Sequence, residues 1–193
     1  MMKRIVALAL TLGLVTLPCV QAGEAVPAVR LLKNAQQGIV YALPKQSPFK
    51  LTKRTIDGVY FEGSAQISGK YVYGHNSPAE EVGVPNAPPD LYFVPDDASR
   101  ALLPYWNERG PVMGFYFSNV QEFLSKVIAP DVVKQVKLKK IKSVTGNLTI
   151  LIDSYFATVE CDAPIYTTKF MGIAVKPELT AQNRYADTIS CGG

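Results

Sequence analysis

Within strand-like stretches aromatic residues stand side by side at four places: Tyr60-Phe61, Tyr92-Phe93, Phe115-Tyr116-Phe117 and Tyr155-Phe156. Neighbouring side chains on a strand point to opposite faces. Each pair therefore sends one ring to each side of a sheet. Either both sides are covered and the rings are core, or one side shows rings to solvent. An exposed row would be a stacking platform for sugars, peptides or another apolar ligand. Tyr92 and Tyr116 are the candidates from these pairs. Tyr105 and Trp106 lie in Pro104-Tyr105-Trp106-Asn107, between a short helix and a strand, where an aromatic can sit exposed. For Trp106 the alternative is a lid over the core.

Asp153 sits within the apolar stretch Leu148 to Val159, on the face expected to carry Leu151 and Tyr155. A carboxylate in such a place must be paired or hydrogen-bonded, or its pKa rises. It is either a ligand-facing acid or a rim group facing water or a lysine. It joins Tyr92, Tyr105, Trp106 and Tyr116 as the candidate binding set.

Catalysis is poorly served. His75 is the only imidazole, so a Ser–His–Asp arrangement would have to use it, and no G-x-S-x-G elbow is present. Glu62, Asp153 and Glu160 lie in or near strands and keep a carboxylate-dependent hydrolase open as an alternative. No catalytic residue is assigned. His75, Glu80, Glu81, Asp90, Asp96 and Asp97 gather in and just after a proline-rich loop, His75 to Asp90. Carboxylates suit a hard cation such as calcium, but the spacing matches no known metal loop. A solvated acidic loop is the expectation, with no metal ligand and no cofactor assigned. Lys134, Lys137, Lys139, Lys140 and Lys142 alternate with apolar residues. On a strand they guard an edge against sheet-to-sheet association; the alternative is contact with anionic lipid head groups.

The compartment is read from the first residues. Lys3 and Arg4 precede the apolar run Ile5 to Leu17, and Val20-Gln21-Ala22 offers small residues to a signal peptidase. That is a secretory signal with cleavage expected after Ala22, leaving a periplasmic or secreted protein without a transmembrane segment in the mature chain. Removing 22 of 193 residues leaves 171, the size of one domain. Lys3 and Arg4 leave with the signal, so 18 basic residues face 16 acidic ones. A net charge of about +2 is too weak a field for nucleic acid. Cys161 and Cys191 remain, an even pair in an oxidising compartment, and a disulfide between them is expected. It would close a loop of about 30 residues, worth roughly 3–4 kcal/mol.

The elements that would hold these groups are mostly strands. Residues 23–37 read as a poorly ordered lead-in and 38–193 as a single domain. Gly38 to Leu43 reads as a strand, and Ile56 to Phe61 with Ser64 to Tyr73 as a hairpin turning at Glu62-Gly63. Leu91 to Val94 and Val112 to Phe117 are short strands. Val136 to Ile141 and Leu148 to Val159 read as a second hairpin turning at Thr145-Gly146-Asn147, and Ile165 to Val175 as the last strand. In that hairpin Leu148, Ile150, Ile152 and Phe156 share one side. Helices are expected at Asp97 to Leu103 and, after a capping-box-like Asn119–Glu122, at Val120 to Ile128 with Pro130 as the stop. The fold class is β-rich α+β: a mainly antiparallel sheet, sandwich- or barrel-like, with one or two short helices and a C-terminal disulfide. The function expected is a non-enzymatic envelope module that binds a small ligand, a glycan or an envelope protein. The alternatives are a small exported hydrolase and a purely structural or inhibitory protein.

Overall fold

β-branched and aromatic residues at alternate positions make long strands here, and the order in which these strands pair sets the fold. The computed structural model describes residues 29–33, 38–75, 88–175 and 185–188. Its strands are β1 (Val29–Lys33), β2 (Val40–Pro44), β3 (Lys50–Arg54), β4 (Val59–Gly74), β5 (Asp90–Pro95), β6 (Tyr105–Trp106), β7 (Phe115–Phe117), β8 (Ile141–Glu160), β9 (Ala163–Val175) and β10 (Tyr185–Thr188). The helices are α1 (Asp97–Arg100), α2 (Val120–Val127) and α3 (Pro130–Lys137).

A small sheet runs β1-β2-β6. A larger one runs β10-β8-β9-β7-β5-β4-β3, and β4 pairs again with β8. The hydrogen-bonded circuit β4–β8–β9–β7–β5 thus returns to β4. Only β7 with β9 is parallel; the other pairings are antiparallel. Inside the circuit lie Phe61, Ile67, Phe93, Phe115, Ile150, Ile152, Tyr155 and Phe170, all essentially without exposure. Phe123 of α2 packs among Tyr71, Phe117 and Phe170, with centroids 4.9 to 5.6 Å apart. Buried apolar area of this extent dominates the stability of a chain this size.

Neither expected hairpin turn exists. Glu62-Gly63 is a bulge within one continuous strand: Phe61 faces Tyr155 and Ser64 faces Asp153, so β4 carries one residue more than β8 there. Gly63 is needed for its φ of 137° and because a Cβ would come 2.5 Å from the Pro48 carbonyl oxygen. Thr145-Gly146-Asn147 also runs straight on within β8, and Gly146 lies under the Tyr71 ring, where a Cβ would approach to 2.7 Å. Both glycines serve bends and close packing, not reversals.

The lysine-bearing stretch is helical as far as Lys137, turns through Lys139 and Lys140, and enters β8 before Lys142. Val132, Val133 and Val136 point inward from α3, a spacing that a two-residue period cannot hold. Pro130 opens α3, with Asp131 in its first turn and Lys134 and Lys137 in its last. Lys139 (φ 56°) closes it: its amide donates to Val136 O and that of Lys140 to Gln135 O, the double bond of a Schellman end. These lysines therefore guard no strand edge; the exposed Lys50, Lys53 and Arg54 of β3, at one end of the large sheet, hold that position. Asn119 does not cap α2 either. Its side-chain amide accepts from Phe170 N–H at 2.8 Å and donates to Phe170 O at 2.7 Å, extending the ladder past the end of β7. Helix α1 stops at Arg100, short of Leu103, and α2 at Val127. His75 is buried, with Nε2 3.0 Å from Val136 O. The expected lead-in 23–37 contains β1, paired along its length with β2. Glu80 and Glu81 of the acidic loop, the signal segment and Cys191 lie outside the described residues.

β8 and β9 are joined by Cys161 (φ 48°) and Asp162 (φ 62°), between the paired Glu160 and Ala163. Two left-handed residues in succession are what a two-residue primed turn requires, and glycine suits the second place. Asp162→Gly is expected to raise unfolding stability by about 0.5–1 kcal/mol. A urea titration reads this; a loss of stability would mean the Asp162 side chain holds the turn.

Candidate functional site

The register places five residues on one line across the circuit. Tyr60 of β4 faces Phe156 of β8, which faces Thr167 of β9, which faces Tyr116 of β7, which faces Tyr92 of β5. Their chain neighbours Phe61, Tyr155, Ala157, Tyr166, Thr168, Phe115, Phe117, Leu91 and Phe93 are buried, so the line lies on the outer face. Tyr60 is 38% exposed, and the other four are half-buried. The next partner of Tyr92 is Val72, back on β4. The line has climbed 12 residues along that strand, 72 − 60, in one circuit, so it winds obliquely round the molecule.

Two ring pairs stand on it. Tyr60 and Phe156 have centroids 4.4 Å apart, and Tyr92 and Tyr116 5.0 Å apart. Thr167 forms the floor between them. A glycine backs each pair. A Cβ on Gly58 would come 2.8 Å from the Phe156 ring, and one on Gly114 2.3 Å from the Tyr92 ring. The Lys53 ammonium lies 5.8 Å over Tyr60. Burial raises the Tyr92 pKa, helped by Tyr116; burial also raises that of Tyr116, helped by the charge of Asp90. Both hydroxyls stay neutral donors at ordinary pH.

Asp153 borders this line. Its carboxylate accepts from the Ser64 hydroxyl at 3.1 Å and, more weakly, from Ser154 at 3.5 Å. Across the strands it faces Ser64 and Lys169. It does not share a face with Tyr155. Ser154 (φ 57°) is a bulge residue that flips the phase of β8, leaving Leu151, Asp153 and Phe156 outside and Ile152 and Tyr155 inside. The same bulge moves Phe156 off the side of Leu148, Ile150 and Ile152, where strict alternation puts it.

Tyr92 and Tyr116 thus join the line as a ring pair, and Asp153 joins it at the other end, beside Phe156. Tyr105 and Trp106 do not: they form β6 of the small sheet, paired with Ala42 and Tyr41. Trp106 is 7% exposed, under the Arg109 guanidinium, and its backbone N–H donates to the Tyr166 hydroxyl at 2.8 Å. It is a lid over the core. Tyr60, Phe156 and Thr167 went unselected in the sequence; for the two rings the signal was the adjacent pairs themselves, and the bulge at Ser154 decides which of Tyr155 and Phe156 faces out. Elsewhere an open groove of about 710 Å³ lies between residues 68–70, 94–96 and 147–149. It contains none of the five candidates.

Inside, Tyr41, Tyr155 and Tyr166 gather behind Trp106. Burial pushes the Tyr41 and Tyr166 hydroxyls up to about 12 and Tyr155 well above its ordinary value of 10.0, the last with help from Tyr166. The Tyr155 hydroxyl has no hydrogen-bond partner among the described residues.

Searches of protein-family models, curated proteins and solved structures found no match to this chain.

The buried tyrosines set an alkaline limit. Their folded pKa values exceed the unfolded value, so their contribution is fully present below pH 10 and is lost as pH rises through about 12. Phenolate absorbance should show the outer tyrosines titrating reversibly first. Tyr41, Tyr155 and Tyr166 should ionise only together with loss of the fold. Ionisation of all ten tyrosines in one step near the ordinary value would contradict the burial described here.

Proposed function

We propose that the protein is an exported, non-enzymatic binding module that takes its ligand on the outer aromatic line of a barrel formed by β4, β8, β9, β7 and β5. The observation that carries this reading is the line itself. Four rings from four strands are kept half-exposed at the surface, where a soluble domain ordinarily keeps such rings covered. A carboxylate-dependent hydrolase would need a second acid facing Asp153, whose hydrogen-bond partners are the hydroxyls of Ser64 and Ser154. Among the described residues no helix is long and apolar enough to cross a membrane.

The leader sequence supports export, and export would oxidise Cys161 and Cys191. The register of β10 constrains how. Tyr185 faces Thr145 and Thr188 faces Ile141, so the chain advances away from the exposed Cys161 at the far end of β8. Three residues beyond Thr188 reach at most about 11 Å. The 20 residues of β8 span on the order of 60 Å when straight, and several times the available reach even when coiled. A bridge within one chain and the β10–β8 pairing therefore exclude each other. Hydrogen exchange on oxidised monomer carrying the bridge should show protection lost at those amides of 141–145 that face β10 and kept at those that face β4. Protection retained at the β10-facing amides of that bridged monomer would refute the exclusion.

Material that co-purifies with mature protein from the native envelope tests the binding reading. Wild type should retain it, and the Tyr92→Ala/Tyr116→Ala variant should lose it by at least about tenfold, at the scale of one lost aromatic contact pair. Equal retention by a folded variant would sink the outer line as the binding face.

A further inference from the structure

We infer that the ligand of the outer line is a neutral chain of equatorially linked pyranose sugars, long enough to touch both ring pairs. This rests on the proposal that the line is the binding face.

The backbone argues first. At the level of the line every strand is hydrogen-bonded on both sides. Tyr60 stands between β3 and β8, Phe156 between β4 and β9, Thr167 between β8 and β7, Tyr116 between β9 and β5, and Tyr92 between β7 and β4. No main-chain donor or acceptor is left for an added strand, which is how a sheet recognises an extended peptide. Recognition has to come from ring faces and from side chains beside them.

Shape argues second. A wholly apolar ligand needs a concave site that buries most of its surface, and the line lies on the outside of a closed circuit. The groove of about 710 Å³ lies at other residues. An open platform suits a ligand that is apolar on one face only and keeps its polar edges in water. A pyranose with equatorial substituents has that build: its C–H face stacks on an aromatic ring while its hydroxyls point sideways.

The polar surroundings argue third. One step along the strands from the rings stand Ser64, Asp153 and Lys169, a hydroxyl, a carboxylate and an ammonium on adjacent strands. They can donate to and accept from sugar hydroxyls. The charges balance, Lys50, Lys53 and Lys169 against Glu62, Asp90 and Asp153, and that balance favours a neutral chain over an anionic one.

Length follows from the register. The Tyr60–Phe156 pair and the Tyr116–Tyr92 pair are three strand spacings apart centre to centre, roughly 14 Å at about 4.8 Å per strand. A single sugar covers one pair. A chain of several covers both, and the second contact is then intramolecular, which multiplies affinity without new chemistry.

The test is calorimetric titration of the mature protein with two oligosaccharide series, chito-oligosaccharides and cello-oligosaccharides, from monomer to hexamer. The expected result is affinity that rises at least about tenfold between dimer and tetramer in either series. Tyr116→Ala should abolish that rise while weak binding of the short oligomers persists at Tyr60–Phe156. Failure of both series to bind would overturn the sugar assignment, as would binding with no dependence on length or on Tyr116. If envelope material still co-purifies through Tyr92 and Tyr116 after such a failure, the binding face stands and only its ligand class falls.

Discussion

The pairing of β4 with β8 is the constraint from which the rest follows. It runs from Val59–Ala157 to Gly74–Ser143, interrupted once, where the Glu62-Gly63 bulge lies opposite Ser154. Because both long strands bend at the same level, they can coil tightly enough for β9, β7 and β5 to complete the circuit. Bulges are the usual means of such bending, since an extra residue increases local twist. β7 is three residues long and closes the circuit with a pair of ladder steps on each side. The Asn119 amide then continues its work at Phe170. A side-chain amide has the donor and acceptor of a peptide unit, so it can stand in for one more residue of strand.

Closing the circuit creates an inside and an outside, and the adjacent aromatic residues divide between them. The inner rings pack edge-to-face or offset around Phe117, Phe123 and Phe170, an arrangement that follows from the quadrupole of the ring. The outer rings have only a strand neighbour and a glycine behind them. Gly58 and Gly114 let those rings lie flat against the backbone, which holds them without enclosing them. Flat, supported and half-exposed rings lose little freedom on contact with a ligand, so little of the contact energy is spent on ordering them.

The ends of the circuit are treated differently. His75 and Lys142 tie the end of β4 to the start of β8, and α3 covers them, with the His75 ring against Val136 O. At the other end Tyr41 and Trp106 of the small sheet reach the backbone of Ala157 and the hydroxyl of Tyr166. The Thr158 hydroxyl donates to Asp57 O nearby. Polar atoms buried at these ends are mostly satisfied by backbone groups, as buried polar groups generally are. The Tyr155 hydroxyl and the Trp106 indole N–H are exceptions among the described residues.

Strand-rich build, the helical stretches that begin at Asp97 and Val120 and the aromatic pairs were legible in the residues, because alternation and propensity are local properties. The lysine stretch was misread for a local reason too: Val136 and Leu138 fit a period of two in a short window, and only the inward turn of Val132 and Val133 decides for a helix. Glu62-Gly63 and Thr145-Gly146-Asn147 carry the composition of turns. Whether a glycine reverses a strand or lets a ring cross it depends on the neighbour, and those neighbours, Pro48 and Tyr71, are distant in sequence or come from another strand. Tyr155 moved to the inner face and Phe156 to the outer by one residue of slip at Ser154, while Asp153, which precedes it, stayed outside with Leu151; a slip of one inverts every side chain that follows. The sequence by itself therefore determined the strand-rich build and that each aromatic pair must be split between two faces. Only the tertiary structure decided which ring of each pair faces out, because that choice rests on bulge positions and cross-strand register, which no local pattern encodes.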